Sequence, residues 1–236
     1  IKAAGFAGVD MDSPNGLKRE DVLRARDETG VIIHGCVDSV HWKDTLGDPD
    51  SAVVDRGLKG LRTALEDCKA YGGTTVLLVP AVVSAKISYQ DAYARSQAAI
   101  RKVLPDAERL GIKIAIENVW NNFLLSPLEM ARYLDEFQSP WIGAYFDIGN
   151  VVKFGWPEQW IRVLGPRILK LDVKEYGKEK LFNYPLGEGD IDWPAVREAL
   201  AEIKYEGFAT AEMRGGDAAY LADLSGRMDK VLSLKA

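Results

Sequence analysis

Lys113-Ile-Ala-Ile-Glu-Asn-Val-Trp-Asn121 joins an apolar run to an abrupt polar ending. The run from Ile112 to Ile116 contains a single lysine and reads as a buried strand. It stops in a carboxylate, an amide, a tryptophan and a second amide. Buried parallel strands that end in polar groups offer them at their C-terminal mouths, where α/β proteins place their chemistry. Glu117 is the first candidate catalytic residue on that ground. Phe146-Asp147, Leu171-Asp172 and Ala211-Glu212 end in the same way.

Outward from this stretch, strand and helix alternate. Strands are expected over 8–12, 31–37, 74–83, 112–117, 142–147, 168–173 and 207–213. Helices are expected over 18–29, 51–71, 88–110 with a bend at Pro105, 127–137, 157–164, 193–203 and from about 218. Gly30 and Gly72-Gly73 read as helix stops, and Ile1 to Phe6 as the last turn of a helix closed by Gly5. Alternation of this kind means parallel strands with crossover helices. Seven strands are legible, and the chain reads as beginning mid-element, one strand late. With that strand restored, a single (β/α)8 TIM barrel domain over 1–236 is expected, N-terminally incomplete. An open doubly wound sheet is the alternative, but no glycine-rich phosphate turn follows an early strand.

Composition bounds the function. At 236 residues the chain is long enough for one large α/β core, and 47% apolar with 28% charged residues is ordinary for a soluble globular protein. A net charge of -5 gives nucleic acid or an anionic membrane no electrostatic hold. Cys36 and Cys68 make no disulfide framework and read as free thiols in a reducing, cytoplasmic compartment. No apolar run approaches the roughly 18 residues of a membrane span.

Glu117, Asp147, Asp172 and Glu212 each end a separate expected strand. Four consecutive strand ends of a barrel share one rim. Four carboxylates brought together repel, so either some hold protons or a cation sits among them. An all-oxygen set favours a hard ion, Mn2+ or Mg2+, over zinc. The alternative is that the acids cap helices or pair with lysines such as Lys170 and Lys174.

Ile116-Glu-Asn-Val-Trp-Asn-Asn-Phe-Leu-Leu-Ser-Pro127, Tyr145-Phe-Asp-Ile-Gly-Asn150, Pro157-Glu-Gln-Trp-Ile161 and Gly187-Glu-Gly-Asp-Ile-Asp-Trp193 resemble the sugar phosphate isomerase/epimerase family. These are xylose isomerase-like TIM barrels related to the ketose 3-epimerases, and the resemblance runs over essentially the whole chain. It implies a divalent metal held by Glu, Asp, His and Glu at the ends of the last four strands. Glu117, Asp147 and Glu212 match three of these positions. The family reads apolar-His-apolar-Lys-Asp at the fourth, where this chain reads Leu171-Asp-Val-Lys-Glu175. Asp172 is shorter than His and anionic, so four acids around a dication leave an excess of two negative charges. A retained proton, a compensating lysine, a different ion or a degraded, metal-free site each answers that excess.

The resemblance implies proton transfer beside a carbonyl. The metal stabilises an enediolate, while Glu117 and Glu212 serve both as ligands and as the acid/base pair. The expected partner is a small sugar or sugar phosphate, neither nucleic acid nor membrane. Related barrels often form homodimers.

Substrate-binding candidates surround these acids. His41 and Trp42 follow a strand end, where they meet sugar hydroxyls and an apolar sugar face or else cover the core. Trp120 and Asn121 follow Glu117 as a wall. Asn150 stands where many epimerases of the family carry a substrate-binding His; an amide hydrogen-bonds a hydroxyl but shuttles no proton at neutral pH. Lys174 neutralises carboxylates, binds substrate or forms a strand-end salt bridge. Lys178 and Arg214, in Arg214-Gly-Gly216, are candidates for a sugar or phosphate oxyanion, with exposed basic residues as the plain alternative. His34, mid-strand, reads as packed or hydrogen-bonded inside. Glu188 and Asp190 can reach the rim, or their loop simply leads to a helix N-capped by Asp192.

The leading function is therefore a ketose isomerase or epimerase. A lyase or dehydratase acting on a keto-sugar or keto-inositol shares its intermediate. A catalytically degraded carbohydrate-binding barrel is a third reading. An endonuclease IV-type repair enzyme, which holds three metals on several histidines, is opposed by two histidines and a negative chain.

Overall fold

A computed structural model describes residues 1–232. Among these, seven strands form one parallel sheet in sequence order. They are β1 (Gly8–Ser13), β2 (Ile32–Asp38), β3 (Thr75–Leu78), β4 (Lys113–Glu117), β5 (Ile142–Asp147), β6 (Ile168–Val173) and β7 (Ala209–Ala211). The helices between them are α1 (Arg19–Thr29), α2 (Ser51–Tyr71), α3 (Tyr89–Arg101), α4 (Leu104–Leu110), α5 (Pro127–Asp135), α6 (Pro157–Leu164), α7 (Trp193–Glu202) and α8 (Ala218–Leu232). Sequential order without a reversal point is the order of a barrel. The open doubly wound sheet would require a switch in strand order.

Alternation along each strand divides the interior. Ile114, Ile116, Ala144, Phe146, Leu171 and Val173 join the main core against the helices, while Leu77, Ala115 and Tyr145 form a separate small cluster. Beside that cluster the interior is polar. The Lys170 ammonium is buried 3.0 Å from Asp10 Oδ1 and 2.6 Å from His34 Nδ1, and it donates to the His34 carbonyl at 2.9 Å. Asp10 Oδ2 accepts from the Tyr145 hydroxyl at 2.6 Å and from Thr210 at 3.0 Å. The edge strands β1 and β7 share no ladder, yet Asp10 and Thr210 join them, and His34 stacks on Phe208 at 4.3 Å. The curled sheet is therefore a nearly closed barrel. His34 is the internally bonded residue its mid-strand position suggested.

Local chemistry sets the element ends. Asp50, Ser88, Ser126 and Asp192 cap α2, α3, α5 and α7 through their side-chain oxygens. Gly5, Gly30 and Gly72 take left-handed conformations at helix ends, as expected, although the first of these helices is a 3-10 turn.

The continuous helix expected over 88–110 is two helices. Pro105 lies in the first turn of α4, where its missing N–H costs nothing, so it starts a helix and does not bend one. The strands expected over 74–83 and 207–213 are shorter, Thr75–Leu78 and Ala209–Ala211. Beyond β3 side chains take over the ladder's role: Val79 N–H donates to His41 Nδ1 at 3.2 Å, and the Ala81 carbonyl accepts from Asn121 at 2.7 Å. β7 has a ladder neighbour on one side only.

Candidate active site

Glu117 closes β4, Asp147 closes β5, Asp172 is the penultimate residue of β6, and Glu212 directly follows β7. Asp147 and Asp172 are register partners on adjacent strands. The four side chains each offer an oxygen, and these oxygens lie within 4.8 Å of one another. Glu117, Asp147 and Asp172 are buried, while Glu212 is exposed. The barrel thus converges all four predicted ligand residues on one point of its rim.

A fifth charge enters the cluster. Lys174 Nζ lies 2.9 Å from Asp147 Oδ2 and 2.6 Å from Glu212 Oε2. The lysine alternative therefore holds for Lys174, whereas Lys170 is spent on Asp10. Gly149 opens the route that Lys174 takes, because a Cβ there would meet Lys174 Cγ at 2.6 Å and its carbonyl oxygen at 2.8 Å. One ammonium against four carboxylates leaves a negative centre. Burial, reinforced by Asp147 and Glu212, pushes Glu117 well above the usual carboxylate range against the pull of Lys174. Burial and the other three carboxylates push Asp172 the same way. Burial raises Asp147 to about 7; Lys174 opposes the rise and Glu212 adds to it.

Asp147 is held from behind. Its Oδ1 accepts from Asn150 N–H at 2.7 Å. Its backbone N–H donates to Asn118 Oδ1 at 2.9 Å, and its carbonyl accepts from Asn118 Nδ2 at 2.8 Å. Its Oδ2 is buried without a hydrogen bond, and Lys174 reaches it as an ion pair only. A buried carboxylate oxygen left in that condition suits a cation. Opposed ligands around a single ion with metal–oxygen distances of about 2.0–2.6 Å stand about 4–5 Å apart, so the spread of the four oxygens fits one ion. The donor set is all oxygen, as a hard dication prefers.

The other candidates divide. Trp120 forms a wall with Phe182 at 4.7 Å and Tyr176 at 5.9 Å, and its indole N–H donates to the Asn150 carbonyl at 2.9 Å. Lys174 lies over Phe182, 5.1 Å from the ring centre. Asn150 is buried with its amide N–H on the Asn118 carbonyl at 2.9 Å. Asn121 spends its amide N–H on Ala81 and its oxygen on Phe123 N–H at 3.1 Å, both backbone groups. His41 is buried, which lowers its pKa to about 4, and Trp42 meets it edge-on while staying exposed.

Lys178 and Arg214 stand outside the four-acid cluster. Lys178 lies in a neighbouring cleft with Lys153 and Trp156, and Arg214 lines the gap between β1 and β7. Glu188 pairs with Arg227 at 2.7 Å, Asp190 accepts from Lys178 N–H at 2.8 Å, and Asp192 caps α7.

Sequence reasoning passed over Asn118, Phe182, Tyr176 and Glu175. Asn118 had a signal, since it stands between two residues already chosen. Phe182 and Tyr176 belong to a long loop without periodicity, so nothing local aims them at Trp120. Glu175 is buried and accepts from Gly187 N–H at 2.6 Å, Trp193 Nε1 at 2.9 Å and Tyr176 N–H at 3.1 Å, which ties that loop to the barrel.

Comparison with known proteins supports this architecture. L-ribulose-5-phosphate 3-epimerase UlaE of Escherichia coli O1:K1 / APEC is 26% identical over 224 residues, covering 90% of this chain and 79% of that protein. The crystal structure of a D-tagatose 3-epimerase-like protein superposes with a TM-score of 0.83 at 19% identity, over 98% of this chain and 92% of the other. That of the IOLI protein with a bound zinc atom superposes with a TM-score of 0.80 at 16% identity, over 98% and 89%. The model of the xylose isomerase-like TIM barrels matches residues 1–230, and the chain therefore belongs to that family.

Proposed function

We propose that this protein, read as one barrel domain over 1–236, is a metal-dependent isomerase or epimerase that moves a proton beside the carbonyl of a ketose or ketose phosphate. The observation that supports the reading most is the approach of Glu117, Asp147, Asp172 and Glu212 to within 4.8 Å of one another. Its relatives named as 3-epimerases belong to the same reaction class. A dication bound by these oxygens supplies Lewis-acid polarisation of a carbonyl and its neighbouring hydroxyl, which makes the shared C–H acidic. Mn2+ or Mg2+ suits the all-oxygen donors better than zinc.

The chain's own residues do the rest. Glu117 ends β4 and Glu212 follows β7, three strands further round the rim; in this reading one removes the proton from the reacting carbon and the other returns it. Asp147, held by Asn118 and Asn150, serves as an anchor. Lys174 offsets part of the charge that Asp172 adds at the position where a histidine is usual. Trp120, Tyr176 and Phe182 offer an apolar wall to a sugar ring and help to exclude water.

The test is exchange of the substrate's C3 proton with deuterium oxide, followed by NMR across a panel of ketoses and ketose phosphates with added Mn2+. Glu117→Gln and Glu212→Gln are each expected to lower exchange and turnover at least about a thousandfold, with circular dichroism unchanged. Near-wild-type activity in either variant removes that residue from the mechanism. A product lighter by one water would instead identify a dehydratase.

A further inference from the structure

A cleft of about 890 Å³ lies between the segment leading into α6 and the loop from β6 to α7, and a chain of contacts from Lys153 through Trp120 and Phe182 to Lys174 links it to the acid cluster. Lys153 joins the two regions. Its ammonium stands 4.2 Å from the centre of the Trp120 ring and 5.4 Å from that of Phe154. Phe154 and Trp156, both on the cleft, are 40% and 62% exposed, so two aromatic faces are available to a ligand. Among the described residues, Lys153, Lys178 and Glu158 form no ion pair; the Lys153 ammonium lies over the two aromatic rings, and Glu158 acts on Arg162 at longer range.

Charge selects the occupant. Lys153 and Lys178 share the cleft with Glu158, Asp190 and Asp192, so a phosphate would meet more negative than positive charge. A purely apolar group would strand those polar heads. A neutral, polyhydroxylated ring satisfies both features, stacking its C–H face on the aromatics while its hydroxyls meet carboxylates and ammonium groups.

We propose that this cleft is a second sugar subsite, which binds a neutral sugar unit glycosidically linked to the ketose in the acid cluster. The proposal rests on the isomerase reading and extends its substrate class from free ketoses to ketose-containing oligosaccharides. Lys178, remote from the four acids, has its place here.

The test is calorimetric binding of fructose, turanose, maltulose and isomaltulose to the Mn2+-loaded protein and to a Phe154→Ala/Trp156→Ala variant. The three disaccharides carry a glucosyl unit on different hydroxyls of fructose. At least one is expected to bind about tenfold more tightly than fructose, a difference of about 1.4 kcal/mol. The double variant is expected to lose that advantage and to keep fructose binding within about twofold. Fructose binding with no disaccharide advantage, or an advantage that survives in the variant, overturns this proposal alone. Tighter disaccharide binding without proton exchange at any ketose keeps the subsite and overturns the isomerase reading. Failure of all four sugars to bind overturns the subsite, and the isomerase reading then stands or falls on proton exchange across the ketose and ketose phosphate panel.

Discussion

Lys174 and Asp147 carry the electrostatic problem of the site between them. Lys174 is mostly buried, and its ammonium touches two carboxylates. Removing one partner of such a pair leaves the others uncompensated. Lys174→Met is therefore expected to destabilise the metal-free protein by about 2–3 kcal/mol, a value reduced because Glu212 is half exposed. Added Mn2+ should recover most of that loss, because it supplies the missing positive charge. Calorimetric unfolding with and without Mn2+ measures both effects.

Asp147 is raised to about 7 by burial in the folded protein, far above about 3.9 in an unfolded chain. The stability its protonated form preserves is fully present below about pH 4 and is lost as pH rises through about 7. Asp147→Asn removes that loss. Without metal, its unfolding free energy relative to wild type is expected to shift in the variant's favour by about 4 kcal/mol between pH 4 and pH 8. Urea titrations at the two pH values decide it.

The loop from β6 to α7 is the element on which the site wall depends. It carries Tyr176 and Phe182, and the buried Glu175 side chain holds its ends together through Gly187 and Trp193. Glu175→Ala strands these donors and the Tyr176 N–H, and is expected to cost about 2–4 kcal/mol in urea unfolding. If the loop also shapes the sugar wall, KM should rise more than kcat falls.

Other elements teach where local reading works. The cap Asp192 and the stops Gly30 and Gly72 are legible because they act within a few residues of themselves. The break between α3 and α4 was misplaced because a proline starts a helix as readily as it bends one. The ends of β3 and β7 were overrun because a strand lasts only as long as its neighbour pairs with it.

At the scale of the molecule, the barrel brings four strand ends together and sets a polar layer below them. Lys170, two residues before Asp172, fills that layer with Asp10, His34 and Tyr145. The cluster above keeps an excess of negative charge, so cation binding should couple to global stability. Mn2+ at a hundred times its dissociation constant adds about 2.7 kcal/mol, which for a domain of this size is a rise in Tm of about 5–10 °C. Differential scanning calorimetry checks this without reference to activity, and no rise would remove the metal from the proposed function.

The chain alone determined the alternation of strands and helices, the rim on which the acids lie and the membership of Glu117, Asp147, Asp172 and Glu212 in one set. Hydrophobic period and strand-end position are local properties, and a barrel converts them into convergence without further information. Only the tertiary structure decided that Lys174 enters the cluster while Lys170 does not, that Asn118 locks Asp147, that Phe182 faces Trp120, and that Lys178 lies in a separate cleft. Those outcomes depend on side-chain reach and loop path across the rim, which are set by packing between residues remote in sequence and leave no periodic trace in it.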